Sequence, residues 1–289
     1  PQTETLVAAN DRFGLYPMYW ASNGQQFCLA SRVLCSVLTD CVSGELDAGL
    51  LMQLITIDDY IGNATTVSGV SVFPPATLLV RHNGHSDWRE YWHWHYHYEE
   101  EVALPEWGMR IGQALIESVK RQTNRHDNLG ITLSGGLDSR AIAACTHKLG
   151  LPVKSFTWGA NDCWDRRIAQ QVADALDLQH EDHDYEVAKL PLLFDAAVNE
   201  TEGMCNLFDM HFLMHRHIIA QADVVLNGYA GGGVLGGVFL RPRWFKKQST
   251  DKLAQLVFMR FNTLLRIDQL AEAVPISREI SQNRLPHEM

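Results

Sequence analysis

Apolar and polar positions change rhythm near residue 100. Before it, the short apolar stretches Leu6-Val7-Ala8-Ala9, Leu15 to Ala21 and Gln26 to Ala30 are separated by Asp11-Arg12 and Ser22-Asn23-Gly24. Runs this short, set between turn-forming residues, predict antiparallel strands. Asp47 to Tyr60 is helix-like, Val72-Phe73-Pro74-Pro75 predicts a turn, Thr77 to Val80 a strand, and His82-Asn83-Gly84 a hairpin. Tyr91 to Tyr98 alternates aromatic and histidine residues, which as a strand would set His93, His95 and His97 on one face. Such a face could ligate a metal. No acidic or cysteine partner stands at ligand spacing, however, and a solvated linker strand accounts for the same pattern.

The acidic run Glu99-Glu100-Glu101, with Pro105 beyond it, marks a domain boundary, so residues 1–100 and 101–289 are read as two domains. From there helices and strands alternate. Trp107 to Gln122 has helical periodicity, Gly130 to Leu133 is a short buried strand, and Ser139 to Leu149 is a helix closed by Gly150. Val153 to Trp158 predicts a strand, Trp164 to Leu176 a helix and Leu178 to Glu181 a strand. Two further helical stretches lead to the apolar strand Ala222 to Leu226, which runs into a glycine-rich loop. Strands joined by crossover helices imply a parallel sheet covered on both faces, with ligands beyond the carboxyl ends of its strands.

Composition narrows the function classes. At 289 residues and 46% hydrophobic, the chain can bury a large core. Its formal net charge of -10 opposes a general binder of nucleic acid or of an anionic membrane, and Lys246-Lys247 is too short to offset it. Cys28, Cys35, Cys41, Cys145, Cys163 and Cys205 form no CxxC pair, so a reducing, cytoplasmic setting is expected rather than a disulfide framework or zinc knuckle. No apolar run approaches the ~20 residues that span a bilayer. The chain opens Pro1-Gln2-Thr3, and truncation at both ends is expected.

The chemistry concentrates in Leu133-Ser134-Gly135-Gly136-Leu137-Asp138-Ser139-Arg140, where a strand gives way to a helix. A tight glycine turn brings backbone N–H groups toward an anion, the helix N-terminus adds its positive end, and two serines add hydroxyl donors. Asp138 would repel phosphate by itself, so its presence makes sense with a magnesium ion between them. The bland alternative is an ordinary strand-to-helix turn with a serine cap. The loop is not a Walker A sequence, since the lysine is missing.

These residues resemble the SGGxDS motif of the N-type ATP pyrophosphatases, and the flanking sequence is similar to the glutamine-hydrolysing asparagine synthetase family, with a β-lactam synthetase or peptide cyclase-like branch as an alternative within it. Ser155-Phe156-Thr157-Trp158-Gly159, Asp165 with Ala169-Gln170-Gln171-Val172-Ala173, and His180-Glu181 follow in the family's order. Asn10 to Pro17 and Leu29-Ala30-Ser31 resemble the closing half of its glutaminase domain, whose N-terminal nucleophilic cysteine this chain lacks. The resemblance implies a parallel-sheet, adenine nucleotide α-hydrolase-like α/β domain, preceded by part of an α+β class II glutaminase-like domain. It implies ATP and Mg2+ as cofactors, with phosphate contacts at Ser134, Gly135, Gly136 and Ser139, a magnesium ligand at Asp138, and base contacts at Leu133 and Trp158. The reaction it implies is activation of a small-molecule or peptide carboxylate as an acyl-adenylate, followed by transfer to ammonia or an amine. A homodimer is among the options.

Asn227 to Gly237 stands in place of a second family motif, roughly SGEGxDExxGG, and Asn227 and Gly228 are its candidate nucleotide contacts. Gly232 replaces a magnesium-holding aspartate, Gly233 the adjoining glutamate, and Tyr229 a glutamate near the reacting carboxylate. A tyrosine there resembles β-lactam synthetases and amide-forming cyclases, where it helps handle the proton of the attacking amine; a buried aromatic beside a loop is the plainer account. The missing carboxylates raise the alternative of a nucleotide-binding relative without turnover. Glu202 and Asp209 are candidates to compensate, or are surface acids, and His211 with His215 is a possible metal pair or part of a core helix.

Overall fold

The computed structural model describes residues 5–57, 60, 62–95, 102–184, 188, 190–205, 220–229, 231–234, 249 and 252. The chain forms two compact units, and residues 195–205 belong to the first.

In the first unit, β1 (Thr5–Ala9), β5 (Thr77–His82) and β6 (His85–Glu90) make one antiparallel sheet in the order β1-β5-β6. A second sheet, in the order β3-β2-β4, joins β2 (Tyr19–Ser22), β3 (Phe27–Ala30) and β4 (Val70–Val72). Tyr19, Ala21, Val33, Cys41, Val67 and Val70 form a buried cluster, against which Met204 packs. Helix α1 (Val33–Leu38) follows β3 and buries Val33 and Ser36. Helix α2 covers Ala48–Ile57.

Two strand expectations fail for identifiable reasons. Leu15 to Pro17 do not extend β2, because the Asp11 carboxylate accepts the Phe13 and Leu15 N–H groups at 2.9 and 2.7 Å and curls this stretch into a turn. Although desolvation works against it, those N–H groups together with that of Tyr16 hold the Asp11 carboxyl below its ordinary value. Tyr91 to His95 likewise form no strand. The Thr77↔Glu90 pair ends the β5 ladder, and the preceding residues Pro74 and Pro75 have no N–H to continue it. The His93 and His95 rings lie 4.3 Å apart, and His97 is outside the described residues.

The second unit opens with α3 (Leu104–Thr123). Pro105 sits in its first turn, where a missing N–H costs nothing. The sheet of this unit contains β7 (Leu129–Thr132), β8 (Val153–Gly159), β9 (Gln179–Asp184) and β10 (Val224–Leu226), all parallel, in the order β10-β7-β8-β9. Helices α4 (Leu137–Lys148) and α5 (Trp164–Leu176) make the crossovers from β7 to β8 and from β8 to β9. Helix α3 packs against α4 and β10, α4 against β7 and α5, and α5 against β8 and β9. Ile131, Leu133, Ile142, Ala143, Ala169, Ala173 and Leu226 lie in the core between sheet and helices. Gly130 lets the sheet close tightly, since a Cβ there would lie 3.2 Å from both Ala222 and Phe156. Helix α6 (Leu190–Thr201) starts in this unit and passes into the first at residue 195, and the short α7 covers Gly231–Val234.

Strand order dictates where a ligand belongs. From β7 the chain steps to β8 and β9 on one side, yet β10 lies on the other. The order therefore reverses between β7 and β10, and open parallel sheets bind ligands at the carboxyl ends of the strands at such a reversal. The segments leaving those two ends begin with residues 133–136 and 227–229, which open the two glycine-rich stretches of the sequence. Among the described residues, no helix is long and apolar enough to cross a membrane.

Candidate active site

Leu133 anchors the loop. It is buried, its N–H donates to the Phe156 carbonyl at 2.8 Å, and its own carbonyl accepts the Thr157 hydroxyl. Its side chain thus belongs to the core. Trp158, two residues beyond Phe156 on β8, is partly exposed and stacks with His183 at 6.1 Å between ring centres.

The turn after Leu133 is stitched by its own serines. Ser134 N–H donates to Ser139 Oγ at 3.1 Å, and Gly136 N–H donates to Ser134 Oγ at 3.2 Å. Ser139 Oγ is within 3.2 Å of the Ser134 and Gly136 carbonyls, and Ser139 is buried. Its hydroxyl has one proton to give and several internal acceptors. Ser139 therefore fastens the turn from inside, and the Ser134 hydroxyl, which accepts from Gly136 and lies 3.1 Å from Ser139 Oγ, can donate outward only by giving up that contact. Gly135 N–H has a different partner, Asp165 Oδ1, at 2.9 Å. Arg140 brings a cation to the same turn, with Nε donating to the Gly136 carbonyl at 3.2 Å.

Gly136 caps α4 at its N-terminus, which puts Asp138 in the first helical turn, and Asp138 is exposed. The loop after β10 closes directly over it. A Cβ on Gly228 would come within 2.8 Å of Asp138 Cβ and 3.0 Å of the Ser139 nitrogen, and a Cβ on Gly231 within 2.6 Å of Asp138 Cγ. Only glycine at 228 and 231 leaves the carboxylate its place. Asn227 Oδ1 accepts the Tyr229 N–H at 3.0 Å, and Tyr229 is 90% exposed, which rules out the buried-aromatic account.

The structure thus brings Ser134, Gly135, Gly136, Asp138, Ser139, Asn227, Gly228 and Tyr229 to the ends of β7 and β10. It also resolves the role of Glu202. That side chain is 5% exposed, accepts from Arg32 Nε at 2.7 Å and from the Leu34 N–H at 3.2 Å, and so is committed within the first unit rather than to a metal. Gly232 and Gly233 lie on α7 and offer no carboxylate. Among the described residues, no group of three or more histidine, cysteine, aspartate or glutamate side chains gathers to hold a metal. Magnesium bound to a polyphosphate does not require one, because it keeps several waters and uses one or two carboxylates plus phosphate oxygens. Asp138, exposed beside the turn, fits that part. Asp209, His211 and His215 lie outside the described residues.

Sequence reasoning missed three contributions: the Asp165 contact, the Arg140 cation, and the packing of Gly228 and Gly231 on Asp138. Only the last left a trace, in the density of glycines after β10.

The asparagine synthase family profile matches residues 110–288. Carboxyethyl-arginine beta-lactam-synthase of Streptomyces clavuligerus is 23% identical over 178 residues, which are 60% of this chain and 33% of that protein. The chain thus spans about a third of that curated relative. Among solved structures, NMN synthetase from Francisella tularensis is 19% identical over 40% of this chain and 52% of its own, with a TM-score of 0.30. The NH3-dependent NAD synthetase from Campylobacter jejuni is 15% identical over 62% and 88%, with a TM-score of 0.32.

Proposed function

The chain belongs to the asparagine synthase family, and from that premise we propose that it is an ATP-dependent amide-forming synthetase that activates a carboxylate by adenylation. The observation that carries this reading is the meeting of two loops at the sheet's reversal point, one presenting Ser134, Gly136 and Asp138 and the other closing over Asp138 with glycines. In the proposed reaction a carboxylate oxygen of the substrate attacks the α-phosphorus of ATP, and the bond to the β-phosphate oxygen breaks to release pyrophosphate. Ammonia or an amine then attacks the acyl carbon and expels AMP, losing one proton.

Asp138 would hold magnesium, which when bound neutralises charge on the departing pyrophosphate. The Ser134 hydroxyl and the α4 N-terminus favour negative charge at the same place. Arg140, tied to the Gly136 carbonyl, supplies a fixed positive charge beside it. Tyr229 is free to reach an incoming amine and take part in its proton transfer. Its exposure, together with similarity to a beta-lactam-synthase, favours an amine within the substrate itself over free ammonia.

A second reading, nucleotide binding without turnover, draws on Gly232 and Gly233. Incubation of the protein with ATP, magnesium and candidate carboxylates separates the two. AMP and pyrophosphate in equal amounts, abolished by Asp138→Asn, support the synthetase; ATP binding with neither product supports the second reading.

A further inference from the structure

Of the three loop amides at Ser134, Gly135 and Gly136, two are satisfied locally, by Ser139 in the first turn of α4 and by Ser134. The third reaches another element. Gly135 N–H donates to Asp165 Oδ1 at 2.9 Å, and a Cβ on Gly135 would lie 2.8 Å from that oxygen and 3.2 Å from Ile168 Cδ1. Residue 135 is therefore glycine so that the turn can lie directly on the first turn of α5. That helix is a rigid support: Ala169 is fully buried, Ala173 nearly so, and Asp177 ends it in a left-handed conformation with its N–H returned to the Ala173 and Asp174 carbonyls.

The placement of the charge calls for explanation, because an exposed carboxylate next to a polyphosphate site opposes binding by Coulomb repulsion. A neutral acceptor would satisfy Gly135 N–H without that cost. A carboxylate, however, makes the stronger hydrogen bond to an amide and fixes its direction more firmly.

We propose that Asp165 is a positioning residue of the nucleotide site. It acts through Gly135 N–H to fix the glycine pair against α5, so that the Ser134 hydroxyl and Asp138 face the polyphosphate together. This rests on the nucleotide-binding reading above and adds to it the element that sets the loop's geometry.

The test compares wild type, Asp165→Ala and Asp165→Asn in the full chain. Calorimetric binding of magnesium ATP and magnesium pyrophosphate is measured beside amide hydrogen exchange at Gly135. The asparagine side-chain oxygen still accepts the bond without the charge. Asp165→Ala is expected to weaken both ligands at least tenfold and to speed Gly135 exchange, while Asp165→Asn, which keeps an acceptor without the charge, falls between the alanine variant and wild type in both measurements. A merely structural role would lower the melting temperature of Asp165→Ala and leave affinity unchanged, which overturns the proposal. Tighter binding by Asp165→Ala overturns it too, since the carboxylate would then be a competitor for the amide. Wild-type protein that binds neither ligand overturns the nucleotide reading itself, a result distinct from a wild type that binds as well as its alanine variant.

Discussion

Replacing Gly228 and Gly231 by alanine, one at a time, separates folding from chemistry at neighbouring positions. The added methyl at 228 would stand 2.8 Å from Asp138 Cβ, 3.0 Å from the Ser139 nitrogen and 3.2 Å from the Asp138 carbonyl carbon. Carbon atoms are comfortable at about 3.5–4.0 Å, and none of these three can rotate away, so loop or helix must yield by roughly 0.7 Å. Overpacking of this kind costs about 1–3 kcal/mol. At ~2–4 °C per kcal/mol for a unit of ordinary size, a calorimetric scan should show a fall of several degrees. At 231 the methyl would instead meet Asp138 Cγ at 2.6 Å and its two oxygens at 2.9 Å. That exposed carboxylate can swing aside, so Gly231→Ala should melt within about 0.5 kcal/mol of wild type. Its loss should appear in pyrophosphate release, by about 10²-fold, the scale of a 1 Å misplacement at a reacting centre. Wild-type melting for Gly228→Ala, or wild-type turnover for Gly231→Ala, would refute the reasoning.

Three further outcomes are expected. Tyr229→Phe should slow amide formation by about 10²–10⁴ while leaving ATP binding intact, as measured by product release against calorimetric affinity; equal rates would exclude its part in proton transfer. Glu181 is held below its ordinary value chiefly by the hydrogen bond from Lys154, so its contribution to stability is fully present above the unfolded value of about 4.3 and fades as pH falls through the lower folded value. Lys154→Met should flatten that acid-side loss in a melting series from pH 7 downward. Glu202→Gln should lower the melting temperature and leave the magnesium dependence of turnover unchanged, because the carboxylate serves Arg32 and the Leu34 N–H; an altered magnesium requirement would contradict that assignment.

The strand-to-helix turns were legible because local chemistry dictates them. A glycine pair followed by a helix-starting aspartate and serine leaves the backbone few choices, and the parallel strands are short apolar runs that only a covered sheet can hide. What escaped was set by contacts distant in sequence. Leu15 reads as strand from its neighbours, yet the Asp11 carboxylate curls it. Ser139 reads as a ligand contact, but its hydroxyl is turned inward by the Ser134 and Gly136 carbonyls. Glu202 reads as a free acid until Arg32, 170 residues earlier, comes to it. Nor does any local pattern announce that Asp165 meets Gly135, since the two are brought together by β8 and α5 rather than by spacing.

The return of residues 195–205 to the first unit bears on how the protein can be dissected. The Glu202 carbonyl accepts the Thr66 hydroxyl at 3.2 Å, the Gly203 carbonyl accepts the Tyr60 hydroxyl at 2.8 Å, and the Arg32 guanidinium holds the Asn199 carbonyl at 2.6 Å. A gene cut near codon 100 would sever all three and leave each fragment with an unmatched surface. The two units are thus interleaved along the polypeptide, and exchanging either part of this chain at the acidic run would trade one half of a lock without its key.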